Sequence, residues 1–211
     1  MILYFELLIS IAWVIFAQQF GTLWLASTVY RYAGNVPDVI LSYMCYLFLW
    51  AAPVGYLLYK YGIGKIRNRI PLNIRSLQII VVGVVLFWVI LFISKIILHA
   101  DLQQGFIDEL EYPYSYVQGA LLIIFIPLFE EIFYRGIIFE ELNLKFGTKL
   151  GFIVVGLLGV LAHYLAINSL GMVLYFFTME LLLTFIYFES GLVVSLFVHA
   201  CVNWFIIYGI D

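Results

Sequence analysis

Long apolar runs separated by short polar stretches extend along the whole chain. A helix needs about 20 mainly apolar residues, at ~1.5 Å per residue, to cross the ~30 Å hydrocarbon core of a bilayer. Seven runs have this character: residues 2–27, 38–60, 76–99, 116–142, 150–167, 170–188 and 191–209. The pattern predicts an all-α polytopic membrane protein with about seven transmembrane helices. The links NSLG and ESG between the last three runs are short, which predicts antiparallel helices packed side by side.

The composition favours a membrane protein over a soluble one. Of the 211 residues, 65% are hydrophobic and 11% are charged, whereas a soluble domain is about 45–50% apolar and about 25% charged. We interpret residues 1–211 as a single membrane domain, and we expect its first run to be an uncleaved span because it lacks the basic start of a signal peptide. The net charge of −3 argues against a nucleic-acid partner. Cys45 and Cys201 lie inside apolar runs and are interpreted as small buried hydrophobic residues.

The distribution of basic residues predicts how the helices are oriented, because short loops rich in Lys and Arg remain on the cytoplasmic side. The loop 60–75 holds five of the ten basic residues, namely Lys60, Lys65, Arg67, Arg69 and Arg75. The loop 101–116 has four acidic residues and no basic one, and the turn after the fourth run carries Lys145 and Lys149. We therefore expect an integral protein of the plasma membrane with a cytoplasmic N-terminus and an external C-terminus.

Three ionisable residues interrupt the fourth apolar run. Glu130, Glu131 and Arg135 lie within PLFEEIFYRGIIFEE, residues 127–141, and each opposes helix insertion by about 2.5–3.5 kcal/mol. Glu131 and Arg135 are four residues apart and can pair on one helix face, whereas Glu130 points about 100° away. A buried pair that fixes helix packing is the alternative interpretation, but it leaves Glu130 unexplained. The trio therefore indicates a functional site.

Polar residues of later runs fall at a similar depth in the membrane. Counted at ~1.5 Å per residue from the cytoplasmic helix ends, Glu130 lies roughly 18 Å deep, His163 roughly 20 Å and His199 roughly 12–14 Å. Asn203 follows His199 by four residues and shares its helix face. Three helices thus bring a carboxylate, two imidazoles and a carboxamide to the middle of the bilayer. This shared depth predicts that the four groups line one polar cavity.

Three further ionisable residues lie in or at the ends of apolar runs. Glu180 is near mid-depth and is a candidate for lining the same cavity, or else a protonated acid held by structural hydrogen bonds. The same two interpretations apply to Glu6. His99 lies at the end of a run beside Asp101, where an interfacial position accounts for it.

The motifs resemble the three signatures of the CPBP family, which contains type II CAAX prenyl proteases and bacteriocin-processing (Abi) proteins. EEIFYRG resembles Glu-Glu-x-x-x-Arg, His163 is placed like the histidine of Phe-x-x-x-His, and HACVN is similar to His-x-x-x-Asn. Their order agrees across residues 116–209, which we expect to be the catalytic core region. The second signature departs from the family at Gly159, where phenylalanine is expected. Gly159 and Gly156 are small enough for close helix approach.

The resemblance implies an intramembrane endopeptidase that cleaves a membrane-associated or lipidated peptide. Glu130, assisted by His163, would activate water for attack on a peptide carbonyl. His199 and Asn203 would then donate hydrogen bonds to the oxyanion. A prenylated CAAX tail, a leader peptide or a small membrane peptide are the substrates that the resemblance suggests.

Structural support and metal binding are also implied by the resemblance. Glu131 and Arg135 would hold their helix in register. Glu130, His163 and His199 would satisfy a catalytic zinc ion with one open position, but the sequence lacks the compact H-E-x-x-H pair of a zincin helix. We therefore expect no obligatory cofactor and keep zinc as the alternative.

Two other classes of protein fit part of the pattern. A non-catalytic bacteriocin-immunity or regulatory protein of the same fold would act by binding another membrane protein. A transporter would use intramembrane acids and histidines as a proton relay, but the sequence has no visible inverted repeat or broken-helix pair. For the enzyme, the expected partners are a peptide or protein substrate at the membrane and the lipid bilayer itself.

Overall fold

Helices contain nearly all the residues that the computed structural model describes, which are 2–16, 50–60, 74–97, 121–164, 167 and 169–208. Within these ranges there is no strand. The prediction of an all-α protein is confirmed.

We number the helices α1 to α7 in chain order. They are α1 (Ile2–Phe16), α2 (50–60), α3 (Ile74–Phe92, continued by a π-helical turn at Ile93–Ile97), α4 (121–146), α5 (Thr148–Ala162), α6 (Leu170–Ser190) and α7 (Leu192–Tyr208).

Helix α4 alternates between two helix types. Its successive segments are π-helical Leu121–Phe125, α-helical Ile126–Glu130, π-helical Glu131–Phe139 and α-helical Glu140–Phe146. A π-helix has i→i+5 hydrogen bonds and is wider than an α-helix, and such segments are rare and often found at functional sites. The regular 3.6-residue period assumed from the sequence is therefore wrong over Glu131–Phe139.

The third to seventh predicted spans coincide with α3 to α7, with ends that differ by a few residues. Among the described residues, Ile74–Phe92 and Leu170–Ser190 are long and apolar enough to cross a membrane, while α5 and α7 are shorter apolar helices. Some sequence predictions concern parts of the chain outside the described residues: Cys45, His99, most of the loop 60–75, the loop 101–116 and the side chain of Glu6.

Single-residue links join the last four helices in two pairs. Gly147 (φ 86°) separates α4 from α5, and Gly191 (φ 88°) separates α6 from α7. Positive φ with an extended ψ is a conformation that glycine adopts readily and other residues avoid. At the start of α6, the Ser169 hydroxyl accepts a hydrogen bond from the Met172 amide at 3.3 Å and caps the helix.

The buried apolar residues form two clusters. One lies between α3, α6 and α7 and includes Phe87, Leu183 and Val198, and the other joins α1, α2, α4 and α5 around Phe133 and Phe139. Both clusters include residues of α6, so this helix lies between them.

Glycines allow α6 to approach its neighbours closely. A Cβ on Gly83 of α3 would lie 2.8 Å from Ile186 Cδ1, and one on Gly156 of α5 would lie 2.7 Å from Phe177 Cε2. Both distances are shorter than real Cβ contacts, so a side chain at either position would require the facing residue of α6 to move. The close approach expected at Gly156 is confirmed.

The outer face of α3 is apolar. Val81, Val82 and Val85 are each more than half exposed, and a contiguous apolar surface of this kind is unfavourable in water. It suits the hydrocarbon region of a bilayer.

Candidate active site

The polar residues of α4 lie at the junction between an α-helical and a π-helical segment. Glu130 is the last residue of the α-helical segment and Glu131 is the first of the π-helical one. Glu130 is 4% exposed, while Glu131 and Arg135 are completely buried. The Arg135 guanidinium Nη1 lies 3.0 Å from Glu131 Oε1. The ion pair expected from the four-residue spacing is therefore present.

His199 of α7 lies between the two adjacent glutamates. Its Nδ1 is 2.8 Å from Glu131 Oε1, and its Nε2 is 3.5 Å from Glu130 Oε2. Because an ionised carboxylate only accepts hydrogen bonds, Nδ1 carries the hydrogen of the bond to Glu131. The carboxylate thereby fixes the orientation of the ring, and Nε2 faces Glu130.

Ser195 adds a second α7 contact to Glu131. Its hydroxyl donates a hydrogen bond to Glu131 Oε2 at 2.7 Å. Both carboxylate oxygens of Glu131 thus have partners, and α7 is attached to α4 at two positions one helical turn apart. Sequence reasoning missed Ser195, although it precedes His199 by the same four residues that separate His199 from Asn203.

Glu180 of α6 binds the other side of the Arg135 guanidinium. Arg135 Nη2 lies 2.5 Å from Glu180 Oε2, and the Thr184 hydroxyl donates to the Glu180 backbone carbonyl at 2.7 Å. Arg135 therefore bridges acids from two helices. Glu180 thus contacts the polar cluster through Arg135, while its lining of a cavity stays a prediction.

His163 lies where α5 ends, and its ring stacks on that of Phe176 from α6. The ring centroids are 4.3 Å apart and the planes are inclined by 8°. His163 interacts electrostatically with His199 and Arg135, so it belongs to the same polar region. Phe176, also missed from the sequence, places an aromatic ring against the histidine whose own helix has Gly159 in place of the expected phenylalanine.

The predicted residues thus differ in how close they lie to the polar cluster on α4. Glu130, Glu131, Arg135, Glu180 and His199 form a continuous set of close contacts. His163 lies within electrostatic range of that set. Asn203 is partly buried one helical turn beyond His199 on α7.

No group of three or more His, Cys, Asp or Glu side chains is arranged to hold a metal ion within the ranges that the structure describes. Glu130 and His199 approach each other, but the third zinc candidate, His163, does not join them in such a group. The donors therefore do not form the three-ligand set that a catalytic zinc ion needs.

Buried carboxylates and imidazoles between helices with an apolar outer face are typical of membrane-embedded proteins with a polar intramembrane site. Residues 113–205 match the family described as type II CAAX prenyl endopeptidase Rce1-like, and through this segment the chain is similar to the CPBP family of CAAX proteases. The recognition made from the three motifs is confirmed. The family is one of membrane-embedded proteases. The chain matches no curated protein and no solved structure.

Proposed function

We propose that this protein is an intramembrane endopeptidase that hydrolyses a peptide bond of a membrane-associated or lipidated peptide. The observation that carries the proposal is the placement of His199 between Glu130 and Glu131, with Glu131 held in turn by Arg135 and Ser195. A structural ion pair needs only one acid and one base. A catalytic role accounts for the second glutamate, Glu130, which faces Nε2 of the imidazole.

In the proposed mechanism, Glu130 and His163 bind the attacking water. Glu130 accepts a proton as the water oxygen attacks the carbonyl carbon, which gives a tetrahedral intermediate with a negative oxygen. Glu130 then transfers this proton to the amide nitrogen, the C–N bond breaks, and a carboxylic acid and an amine leave. The distance of 3.5 Å between Glu130 Oε2 and His199 Nε2 supports this proposal, because the proposed base then lies close to the group that is proposed to meet the oxyanion.

His199 and Asn203 are proposed to stabilise the oxyanion. Because Nδ1 donates to Glu131, Nε2 has a hydrogen to donate when the ring is an imidazolium. The Glu131 carboxylate compensates the charge of that form. Glu131 is thus proposed to position the oxyanion donor in addition to supporting the helix, which is a larger role than the one expected from the sequence.

The proposed topology has seven membrane spans in one domain of the plasma membrane, with the N-terminus in the cytoplasm and the C-terminus outside. Arg75 at the start of α3 pairs with Glu189 near the end of α6 at 2.7 Å. In the proposed topology both positions are cytoplasmic, as are Lys145 and Lys149 between α4 and α5. Labelling of single cysteines placed in the loops 61–73 and 101–116 tests it. Reagent from outside the cell should label the second loop and leave the first unlabelled.

Cleavage by the purified full-length protein tests the proposed function. The probe is an internally quenched peptide that ends in a farnesylated Cys-aliphatic-aliphatic-Ser sequence, with the unprenylated peptide and a pool of membrane-derived peptides alongside. We expect cleavage by the wild type and none by Glu130→Gln. Failure of the wild type on all three substrates would favour the non-catalytic immunity or regulatory protein.

We propose that the reaction needs no metal ion. Protein purified in EDTA is expected to retain its cleavage rate and to contain no stoichiometric zinc by elemental analysis. Activity lost in EDTA and restored by zinc alone would contradict this proposal.

A further inference from the structure

Gly159 of α5 faces the side chain of Glu180 on α6. A Cβ added to Gly159 would overlap Cγ and Cδ of Glu180 and would lie 2.9 Å from its Oε1. These three are the nearest atoms to such a Cβ. A side chain at position 159 is therefore incompatible with Glu180 in its observed place, and the obstacle is the carboxyethyl group itself rather than the backbone of α6.

Glu180 uses this space to reach Arg135. The Glu180 side chain is 8% exposed and its carboxylate pairs with Nη2, while Glu131 pairs with Nη1 on the other side. Arg135 Nε donates no hydrogen bond to any described residue. The guanidinium is therefore held between two carboxylates from different helices, and removal of one of them would leave it anchored on one side.

The same guanidinium is connected to the proposed reaction site. Glu131 pairs with Arg135 and binds His199 Nδ1 through the same oxygen, Oε1. A displacement of Arg135 therefore changes the position of the acceptor that orients the imidazole.

We propose that Gly159 and Glu180 act as one positioning unit, which sets the orientation of His199 through Arg135 and Glu131. The effect of this unit on catalysis rests on the proposed function, whereas its effect on the orientation of the His199 ring does not. The unit also explains the departure from the second signature of the family. A phenylalanine at position 159 would occupy the space that Glu180 fills here.

A double-mutant cycle on thermal stability tests the steric half of this proposal. Gly159→Ala and Glu180→Ala are each expected to lower the melting temperature of the protein in detergent. The double variant is expected to be no less stable than Glu180→Ala alone, because the atoms that a Cβ would meet are then absent. Additive losses would show that Gly159 serves general helix packing, and would overturn the pairing.

The ring-nitrogen NMR signals of His199 test the positioning half without any need for activity. The protein has three histidines, so substitution of each in turn assigns the ¹⁵N spectrum. Glu180→Gln and Gly159→Ala are expected to move the His199 signals by more than their linewidth. The matched control is Glu189→Gln. Glu189 is an acid of the same helix, but its ion pair with Arg75 is at the surface. This control should leave the His199 signals in place. Unmoved signals in both test variants would overturn the proposal.

Steady-state kinetics on the farnesylated peptide then separate positioning from structural support. Glu180→Gln is expected to lower kcat about tenfold, the effect of one lost charged hydrogen bond, with KM changed less than twofold at equal folded fraction. If Glu180→Gln lowers only the fraction of folded protein and leaves kcat per folded molecule unchanged, the catalytic part of the proposal is wrong. If the wild type cleaves no peptide while the NMR shifts and the stability coupling occur, the positioning unit stands and the proposed function falls.

Discussion

Helix α4 carries two pairs of consecutive glutamates, Glu130–Glu131 and Glu140–Glu141, and each of the four residues is at most 6% exposed. The first pair meets groups from other helices. His199 lies between its two carboxylates, and Ser195 of the same α7 helix donates to Glu131. Arg135 further connects this pair to α6.

The second pair has different partners. The Tyr187 hydroxyl donates to Glu140 at 3.1 Å, and Lys145 pairs with Glu141 at 3.1 Å from the next turn of the same helix. Burial is nearly equal in the two pairs, so burial alone does not identify a reaction site. The difference is that one imidazole, that of His199, approaches both carboxylates of the first pair.

The largest expected effect is on turnover, from one glutamine substitution in each pair. Glu130→Gln should lower kcat/KM for the farnesylated peptide by about 10³-fold, within the range of general acid–base catalysis, and should change the melting temperature little. Glu140→Gln is the control, because glutamine still accepts the Tyr187 hydrogen bond. An equal loss in both variants would remove the distinction between the pairs.

A large effect on stability is expected from the cation of the first pair. Arg135→Ala removes the cation that the buried Glu131 and Glu180 carboxylates share, which should lower the free energy of unfolding by about 3–5 kcal/mol. Glu131→Gln should destabilise less, because glutamine retains hydrogen-bonding capacity. Denaturant unfolding in detergent measures both. If Glu131→Gln leaves stability intact and Glu130→Gln unfolds the protein, the roles of the two glutamates are exchanged.

An intermediate effect is expected from Ser195→Ala. This change removes one hydrogen bond to a carboxylate, which contributes about 1.5–3 kcal/mol when the acceptor is charged. Because Glu131 also binds His199, the same variant should lower kcat while KM is retained. A Ser195→Ala variant with wild-type stability and turnover would show that Ser195 contributes to neither property.

The smallest effect is expected from Lys145→Ala. Lys145 and Glu141 have the same four-residue spacing as Arg135 and Glu131, but the lysine side chain is 31% exposed. Solvent screening reduces such a pair to about 0–1 kcal/mol. A loss as large as that of Arg135→Ala would show that burial of the acid, rather than of the whole pair, sets the energy.

The sequence supports predictions of local contacts better than of contacts between helices. The Glu131–Arg135 pair follows from spacing on one helix, and the three motifs identify His163, His199 and Asn203 as candidates. The Glu180–Arg135 pair depends on how α6 is rotated against α4. Packing of many apolar side chains sets that rotation, and no single motif encodes it.

The π-helical segment of α4 marks a second limit of sequence reasoning. An α-helical period predicts that Glu130 and Glu131 point about 100° apart and serve separate partners. In the structure both approach the one imidazole of His199. Nothing in the apolar pattern of Glu131–Phe139 distinguishes π from α geometry, so this shared partner was not predictable.

The partners of the α4 glutamates and arginine come late in the chain, and this order has a consequence for biosynthesis. Glu180 follows Arg135 by 45 residues, and His199 follows Glu131 by 68 residues. At about 5–20 residues per second, a ribosome needs roughly 3–14 s to make those 68 residues. For that time the polar residues of α4 lack their partners from α6 and α7, and only the Glu131–Arg135 pair within the helix offsets the cost of placing them in lipid. Helices α6 and α7, joined by Gly191 alone, then deliver the missing partners together. In chains truncated after residue 164, a single cysteine placed in α4 should therefore react with a water-soluble thiol reagent, whereas in the full chain the same cysteine should be protected.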